Sequence, residues 1–307
     1  MHISQVVPIS THVKILRIAR NIKNRRRIRT KLDLVAKQQS YQERLLRVLL
    51  HIQRNLDQPL ELDELAAIAC FSPFHFHRIF RGMVGESVME YVRRLRLEQA
   101  AQKLRFSDRP VIDLALDAGY ESHEAFTRAF SARFGLSPSS YRKARKTSTS
   151  EDVPDVRLEE FGPKRIAFLR HVGPYNQVGP AWQQLMMWAG QRGLLGPTPV
   201  LLGVVYDTPD VTAEAKLRYD AAVVVEDSVQ PEGEIGIQEI ARCQYAVSPY
   251  VGPYDSIQQA YDRLCGDWLP ASGREPASLP AFERYLNTPY DTAPENLRTA
   301  IYLPLLP

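Results

Sequence analysis

The strongest constraint on the fold of this chain is that it repeats itself. Residues 208–225 (TPDVTAEAKLRYDAAVVV) and 288–305 (TPYDTAPENLRTAIYLPL) share Thr208/Thr288, Pro209/Pro289, Thr212/Thr292, Ala213/Ala293, Leu217/Leu297 and Arg218/Arg298 at a spacing of 80. Just upstream, HVGPYNQVGPAWQQLM (171–186) answers YVGPYDSIQQAYDRLC (250–265) at a spacing of 79. A different unit is doubled in the first half, where SPFHFHRIF (72–80) matches SHEAFTRAF (122–130) at a spacing of 50. Two unlike modules, each built twice, imply two folded parts with separate tasks, and 307 residues suffice for two cores.

Charge divides the chain in the same way. Residues 1–40 hold ten Lys/Arg and one Asp, residues 41–150 hold 17 basic and 13 acidic side chains, and residues 151–307 hold 12 basic and 21 acidic. The first half therefore suits a polyanion and the second does not. Cys70, Cys243 and Cys265 lie far apart without a CxxC, which fits a reducing compartment. No apolar run approaches the ~18 residues of a membrane span. The N-terminus is too charged for a secretory segment, so the expected location is the cytoplasm with no membrane partner.

Four segments follow. Residues 1–40 read as a basic, loosely ordered extension around NIKNRRRIRTK, which either adds phosphate contacts or is translated upstream sequence without a role. Residues 41–145 have helical periodicity throughout. KTSTSEDVP closes that region, and residues 146–154 are the expected linker. Residues 155–307 alternate like strands in RLEEF, KRIAFLRHV, LLGVVYD, YDAAVVV, ARCQYAVSPY, FERYLN and TAIYLPL, with helices near 176–192 and 254–269. The predicted class is an all-α part followed by an α+β part of two strand–helix–strand–strand modules.

In the helical part, LELDELAAIACFSPFHFHRIFRG predicts a short helix, a tight break and a second helix. Ser72 suits the N-cap and Pro73 the first helical position. Phe76, Ile79, Phe80 and Met83 form the expected core stripe, leaving Phe74, His77, Arg78 and Arg81 outside. In the second copy Phe126, Ala129 and Phe130 face inward, while His123, Glu124, Thr127, Arg128 and Ser131 face out. Such faces supply a guanidinium fork for guanine, polar reach to other base edges and apolar contact for a thymine methyl. A helix predicted over 86–106 would span roughly 31 Å, close to the ~34 Å of one DNA turn. That length would set the two readers into adjacent major grooves of double-stranded DNA.

These motifs resemble the DNA-binding region of the AraC/XylS family of bacterial transcription regulators. The resemblance rests on LDELA (62–66), the Phe71–Ser72–Pro73 turn, HRIFRGMVGESVMEYV (77–92), ALDAGYESHEAFTRAF (115–130) and FGLSPSSYRK (134–143). It implies tandem helix-turn-helix units, with base readers at Phe74, His77, Arg78, His123, Glu124, Thr127 and Arg128. Glu124 stands where the family often carries an amide; it can accept from cytosine but repels phosphate.

The second part is similar to the GyrI-like effector-binding domain, through GPY at 173–175 and 252–254, GVVYDTPD with LRYDA (203–221) and FERYLNTP (282–289). An AraC-type reader joined to such a domain is the Rob-type arrangement. A strand over 280–287 would put Ala281, Glu283 and Tyr285 on one face. The duplicate carries Gly203 and Val205 at the positions of Glu283 and Tyr285, so one carboxylate enters a space left open opposite it. With Trp182, Tyr206, Tyr219, Tyr261 and Trp268 as candidate aromatic partners, that space suits a cationic or apolar small molecule. The resemblance makes Glu283 a ligand-contacting position.

The expected function is thus an effector-controlled transcription regulator, with RNA polymerase a further partner. The alternative is a hydrolase of small electrophiles using Glu283 and Tyr285 as base and orienter; a third reading makes the acidic half a protein-binding module only. No cofactor is implied: His75 and His77 point to different helix faces, and GxSxG, P-loop and dinucleotide motifs are missing from the sequence.

Overall fold

The computed structural model describes residues 41–144 and 155–307. The basic extension at 1–40 and the linker at 146–154 lie outside the described residues. The first part is helical: α1 (41–54), α2 (Leu62–Ile68), α3 (Pro73–Val84), α4 (Val88–Phe106), α5 (Val111–Asp117), α6 (His123–Phe134) and α7 (Pro138–Lys143).

Its two subdomains repeat the same stop and start signals. Ser72 Oγ accepts from the His75 amide and Ser122 Oγ from the Ala125 amide, capping α3 and α6. Both helices end on a glycine in the left-handed region, Gly85 at φ 83° and Gly135 at φ 73°, where a Cβ would be strained. Phe76 and Phe80 are buried in one subdomain, Phe126 and Phe130 in the other. Met83 is half-exposed, so the core stripe of α3 is one residue shorter than its periodicity predicts.

The long helix starts at Val88 rather than 86, because Ser87 and Glu90 close a capping box. Its 19 residues span roughly 28 Å. Along it runs a chain of ion pairs: Glu86–Arg94 at 2.8 Å, Arg94–Glu98 at 3.0 Å, and Glu98–Arg133 at 2.9 Å. Glu98 is buried, and both partners keep its charge satisfied. Through Arg133 on α6, this chain ties α6 to α4.

The second part is one antiparallel sheet of eight strands: β1 (Arg157–Phe161), β2 (Lys164–Val172), β3 (Leu201–Val205), β4 (Arg218–Val224), β5 (Ile235–Ile240), β6 (Cys243–Val251), β7 (Ala281–Tyr285) and β8 (Arg298–Leu305). Sequence alternation identifies seven of these; β5 is the addition, an edge strand on β2. The order is β1-β6-β8-β7-β3-β4-β2-β5, which reads the same in reverse when β1–β4 are exchanged for β5–β8. β3 and β7 meet at the centre with Gly203 directly opposite Glu283. Helix α8 (Gly179–Gln191) covers one half of one face, and α9 (Ile257–Arg263) covers the other half. α9 runs on through a wide turn at Leu264–Trp268 into α10 (Leu269–Ser272).

The reverse face of the sheet packs on the helical part. Leu45, Val48 and Ile52 of α1 belong to the core of the first subdomain, whereas Leu46 and Leu50 pack with Phe168 and the reverse-face core. Gly236 admits this approach, because a Cβ there would collide with the Phe168 ring and press on Leu46. A second contact comes from the loop joining β3 to β4. Its Val211 enters the core of the second subdomain with Leu97, Ala100 and Phe130. Asp210 pairs with Arg105 at 2.7 Å, and Lys216 pairs with Glu86 at 3.0 Å.

Candidate functional site

On α3, Phe74, His77, Arg78 and Arg81 are exposed on one surface. The Arg78 guanidinium sits 4.4 Å over the Phe74 ring, which limits its rotamers while the side chain stays exposed. Arg44 of α1 braces the turn before α3: its Nε donates to Ala69 O at 2.6 Å, its Nη2 donates to Cys70 O, and it stacks 3.6 Å over Phe71. On α6, His123, Glu124 and Arg128 are exposed. Backbone and Ser122 hydrogen bonds at the helix start hold the Glu124 carboxyl below its ordinary range, so it is charged. Thr127 is half-buried and its hydroxyl is covered with no hydrogen-bond partner among the described residues, so that group is less open than the helical face predicts.

The second site lies between α8 and α9 above the β3–β7 seam. Glu283 is buried there. Tyr285 Oη donates to Glu283 Oε2 at 2.5 Å and Tyr261 Oη to Oε1 at 3.3 Å. The Trp182 indole N–H, which can only donate, reaches Tyr219 Oη at 3.0 Å, and Tyr219 and Tyr285 hydroxyls meet at 2.7 Å. Because the single Tyr285 proton goes to Glu283, Tyr219 donates to Tyr285, and the donors run Trp182 to Tyr219 to Tyr285 to Glu283, each bond polarising the next.

Burial pushes the Glu283 carboxyl up to about 7, opposed by the Tyr285 and Tyr261 hydrogen bonds. Burial, and then the neighbouring Glu283 charge, drive the Tyr219, Tyr261 and Tyr285 phenols well above the ordinary tyrosine range, so they remain donors. Tyr285 is boxed edge-on by Trp182 at 5.5 Å and Tyr254 at 5.4 Å. The space opposite Glu283 that Gly203 provides is filled by phenols. A Cβ at 203 would land on the Tyr219 and Tyr285 hydroxyls. A molecule entering from the Gly203 side would displace those two side chains.

Of the expected ligand residues, Glu283, Tyr285, Tyr219 and Trp182 come together. Tyr206 does not. It lies on the reverse face, where its hydroxyl donates to Asp220 at 2.7 Å and Arg170 holds the same carboxylate with two 2.8 Å bonds. Trp268 does not either; the wide turn after α9 packs it with Leu264, Leu305 and Phe106. Tyr175 and Tyr254, the tyrosines of the two GPY motifs, belong to the site's frame instead. Tyr175 Oη donates to Asp207 O at 2.6 Å, and its ring is 6.1 Å from Tyr219. Their occurrence at corresponding repeat positions is the sequence signal for them.

Among the described residues no helix is long and apolar enough to cross a membrane. Residues 154–306 match the family described as a GyrI-like small molecule binding domain, and residues 65–144 match a helix-turn-helix domain family. The chain is 39% identical over 281 residues to the right origin-binding protein of Escherichia coli K12, covering 84% of this chain and 96% of that protein. It is 39% identical over 114 residues to the transcriptional regulator Rob of Salmonella typhimurium, covering 37% of this chain and 39% of that one. It is 37% identical over 103 residues to the regulatory protein SoxS of the same organism, covering 34% of this chain and 96% of SoxS. A relative matched over nearly its whole length, with both domain families in the same order, makes this chain a member of the AraC-type helix-turn-helix transcription regulators that carry a C-terminal GyrI-like domain.

Proposed function

We propose that α3 and α6 read adjacent major grooves through Phe74, His77, Arg78 and Arg81 on one helix and His123, Glu124, Thr127 and Arg128 on the other. A cationic or apolar small molecule held over Glu283 adjusts that reading, and contact with RNA polymerase turns it into control of transcription. The observation that carries the effector half is the donor chain from Trp182 through Tyr219 and Tyr285 to a single buried carboxyl. An ionised Glu283 among aromatic rings attracts a cation by charge and by ring quadrupoles, and a protonated Glu283 leaves a neutral slot for an apolar guest.

Titration of the full chain with benzyltrimethylammonium, followed by tryptophan fluorescence, tests this. Wild type is expected to bind, and Glu283→Gln to lose at least tenfold in affinity, in line with the ~1.5–3 kcal/mol of a hydrogen bond to a charged group. Equal affinity in both proteins sinks the reading.

One observation favours a second reading. A carboxyl near pH 7 with a phenol 2.5 Å away resembles a general base with its orienter, which suits hydrolysis of a small electrophile. The same variant separates the two: ester or epoxide turnover by wild type that Glu283→Gln abolishes, with DNA affinity indifferent to the probe, favours the enzyme.

A further inference from the structure

The duplicated loops of the GyrI-like half provide an internal comparison. The β3–β4 loop and the β7–β8 loop keep the same framework, Thr208/Thr288, Pro209/Pro289, Thr212/Thr292 and Leu217/Leu297. They differ where the first touches the helical part. Asp210, Val211 and Lys216 occupy the positions of Tyr290, Asp291 and Asn296. The first three make the Arg105 ion pair, the apolar insertion beside Leu97, and the Glu86 ion pair. Tyr290, by contrast, is 85% exposed.

The loop bases also differ. In the first loop Asp207 clamps Arg218 with three bonds, one from the amide at 2.8 Å and two from the guanidinium at 2.8 and 2.7 Å. In the second, Asn287 takes only the Arg298 amide, at 2.7 Å. One copy is thus an arm seated on the helical half, while the other makes the turn alone.

That arm grows from the floor of the ligand site. Arg218 precedes Tyr219 in the chain, and Tyr175 donates to Asp207 O at the loop base. At the far end, Lys216 meets Glu86, the first member of the ion-pair chain Glu86–Arg94–Glu98–Arg133 that positions α6 against α4. The geometry points to the 207–217 loop as the coupling element of this regulator, with Asp210, Val211 and Lys216 as positioning residues that set the second reading helix relative to the first. This rests on the effector reading above for its trigger. A guest displacing Tyr219 and Tyr285 moves the start of β4, loosens the Asp207–Arg218 clamp and withdraws Lys216 from Glu86. Docked and withdrawn loop are the two states that both sites bias.

The test is made on the full chain, using a duplex selected by wild type from random DNA and the same duplex with the second half-site scrambled. The readout is the ratio of the two affinities, which a merely structural defect would not move selectively. Without ligand, Lys216→Asn and Val211→Asp, each taken from the duplicate loop, should change that ratio at least threefold in the same direction. Lys216→Arg should keep the wild-type ratio. Melting curves identify any variant that is not folded, and Lys216→Asn, at a half-exposed position, serves if Val211→Asp is not.

Benzyltrimethylammonium should shift the wild-type ratio in that same direction. It should still bind Lys216→Asn, by tryptophan fluorescence, without shifting the ratio further. A ratio unchanged in both loop variants overturns the coupling. A wild type that fails to bind the probe overturns the effector reading, while the ligand-free comparison still decides the role of the loop.

Discussion

Glu283 is a carboxyl whose charge is suppressed by its surroundings, so affinity for a permanent cation should carry a pH signature. Burial raises it to about 7, against 4.5 for an unperturbed glutamate. A quaternary cation binds the ionised form, so below pH 7 each binding event must expel a proton. A charge-assisted contact of ~1.5–3 kcal/mol lowers the bound-state value by about 1–2 units. Apparent affinity for benzyltrimethylammonium should then rise roughly five- to tenfold from pH 6 to pH 8, levelling off above. Calorimetry in buffers of unlike ionisation enthalpy would count the released proton directly.

Glu283→Gln should lose the slope as well as the proton release. An affinity constant within twofold across this window in wild type, or a slope surviving in Glu283→Gln, would refute the reasoning. The unliganded fold carries the opposite sign. Because the folded value lies above the unfolded one, this group's contribution to stability is full below pH 4.5 and fades as pH rises through 7. Up to ~3 kcal/mol is at stake, so Glu283→Gln should flatten the melting profile between pH 5 and 8.

Three further outcomes are expected. Arg78→Ala should weaken specific binding by ~1–3 kcal/mol and relax one base position, as measured by competition against random duplexes; equal losses on both would make Arg78 a phosphate contact. One chain should protect two half-sites about one helical turn apart in a footprint, without needing a palindrome. Gly203→Ala should push the Tyr219 and Tyr285 hydroxyls off their bonds, costing ~1–3 kcal/mol in chemical denaturation and abolishing probe binding.

The parts legible in the sequence are those fixed by local rules. Ser72 and Ser122 cap helices wherever they occur before such runs, and the 80-residue echo sets Gly203 against Glu283 without any coordinates. Tyr206 was decidable too: it is an odd number of residues from Gly203, and strand alternation alone sends it to the reverse face. Trp268 was not, because the wide turn at Leu264–Trp268 shifts the helical register and nothing in LCGDW announces it. β5 escaped because an edge strand carrying Gln238 and Glu239 lacks a clean alternation. The docking of Val211 is a contact between parts about 100 residues apart, and a periodic pattern within one element holds no record of it.

Helix α1 has a consequence for how the molecule melts. By chain order it belongs to the reader, yet Leu46 and Leu50 shield the sheet as Leu45, Val48 and Ile52 shield the reader. Cutting the chain at the linker strips two leucines' worth of cover from the sheet, on the order of 1.5–3 kcal/mol for each full burial, and leaves those leucines in water on the other fragment. Neither fragment is then the object that exists in the whole chain. The two parts are therefore expected to unfold together, and whatever tightens the sheet should raise the melting temperature of the helical part with it.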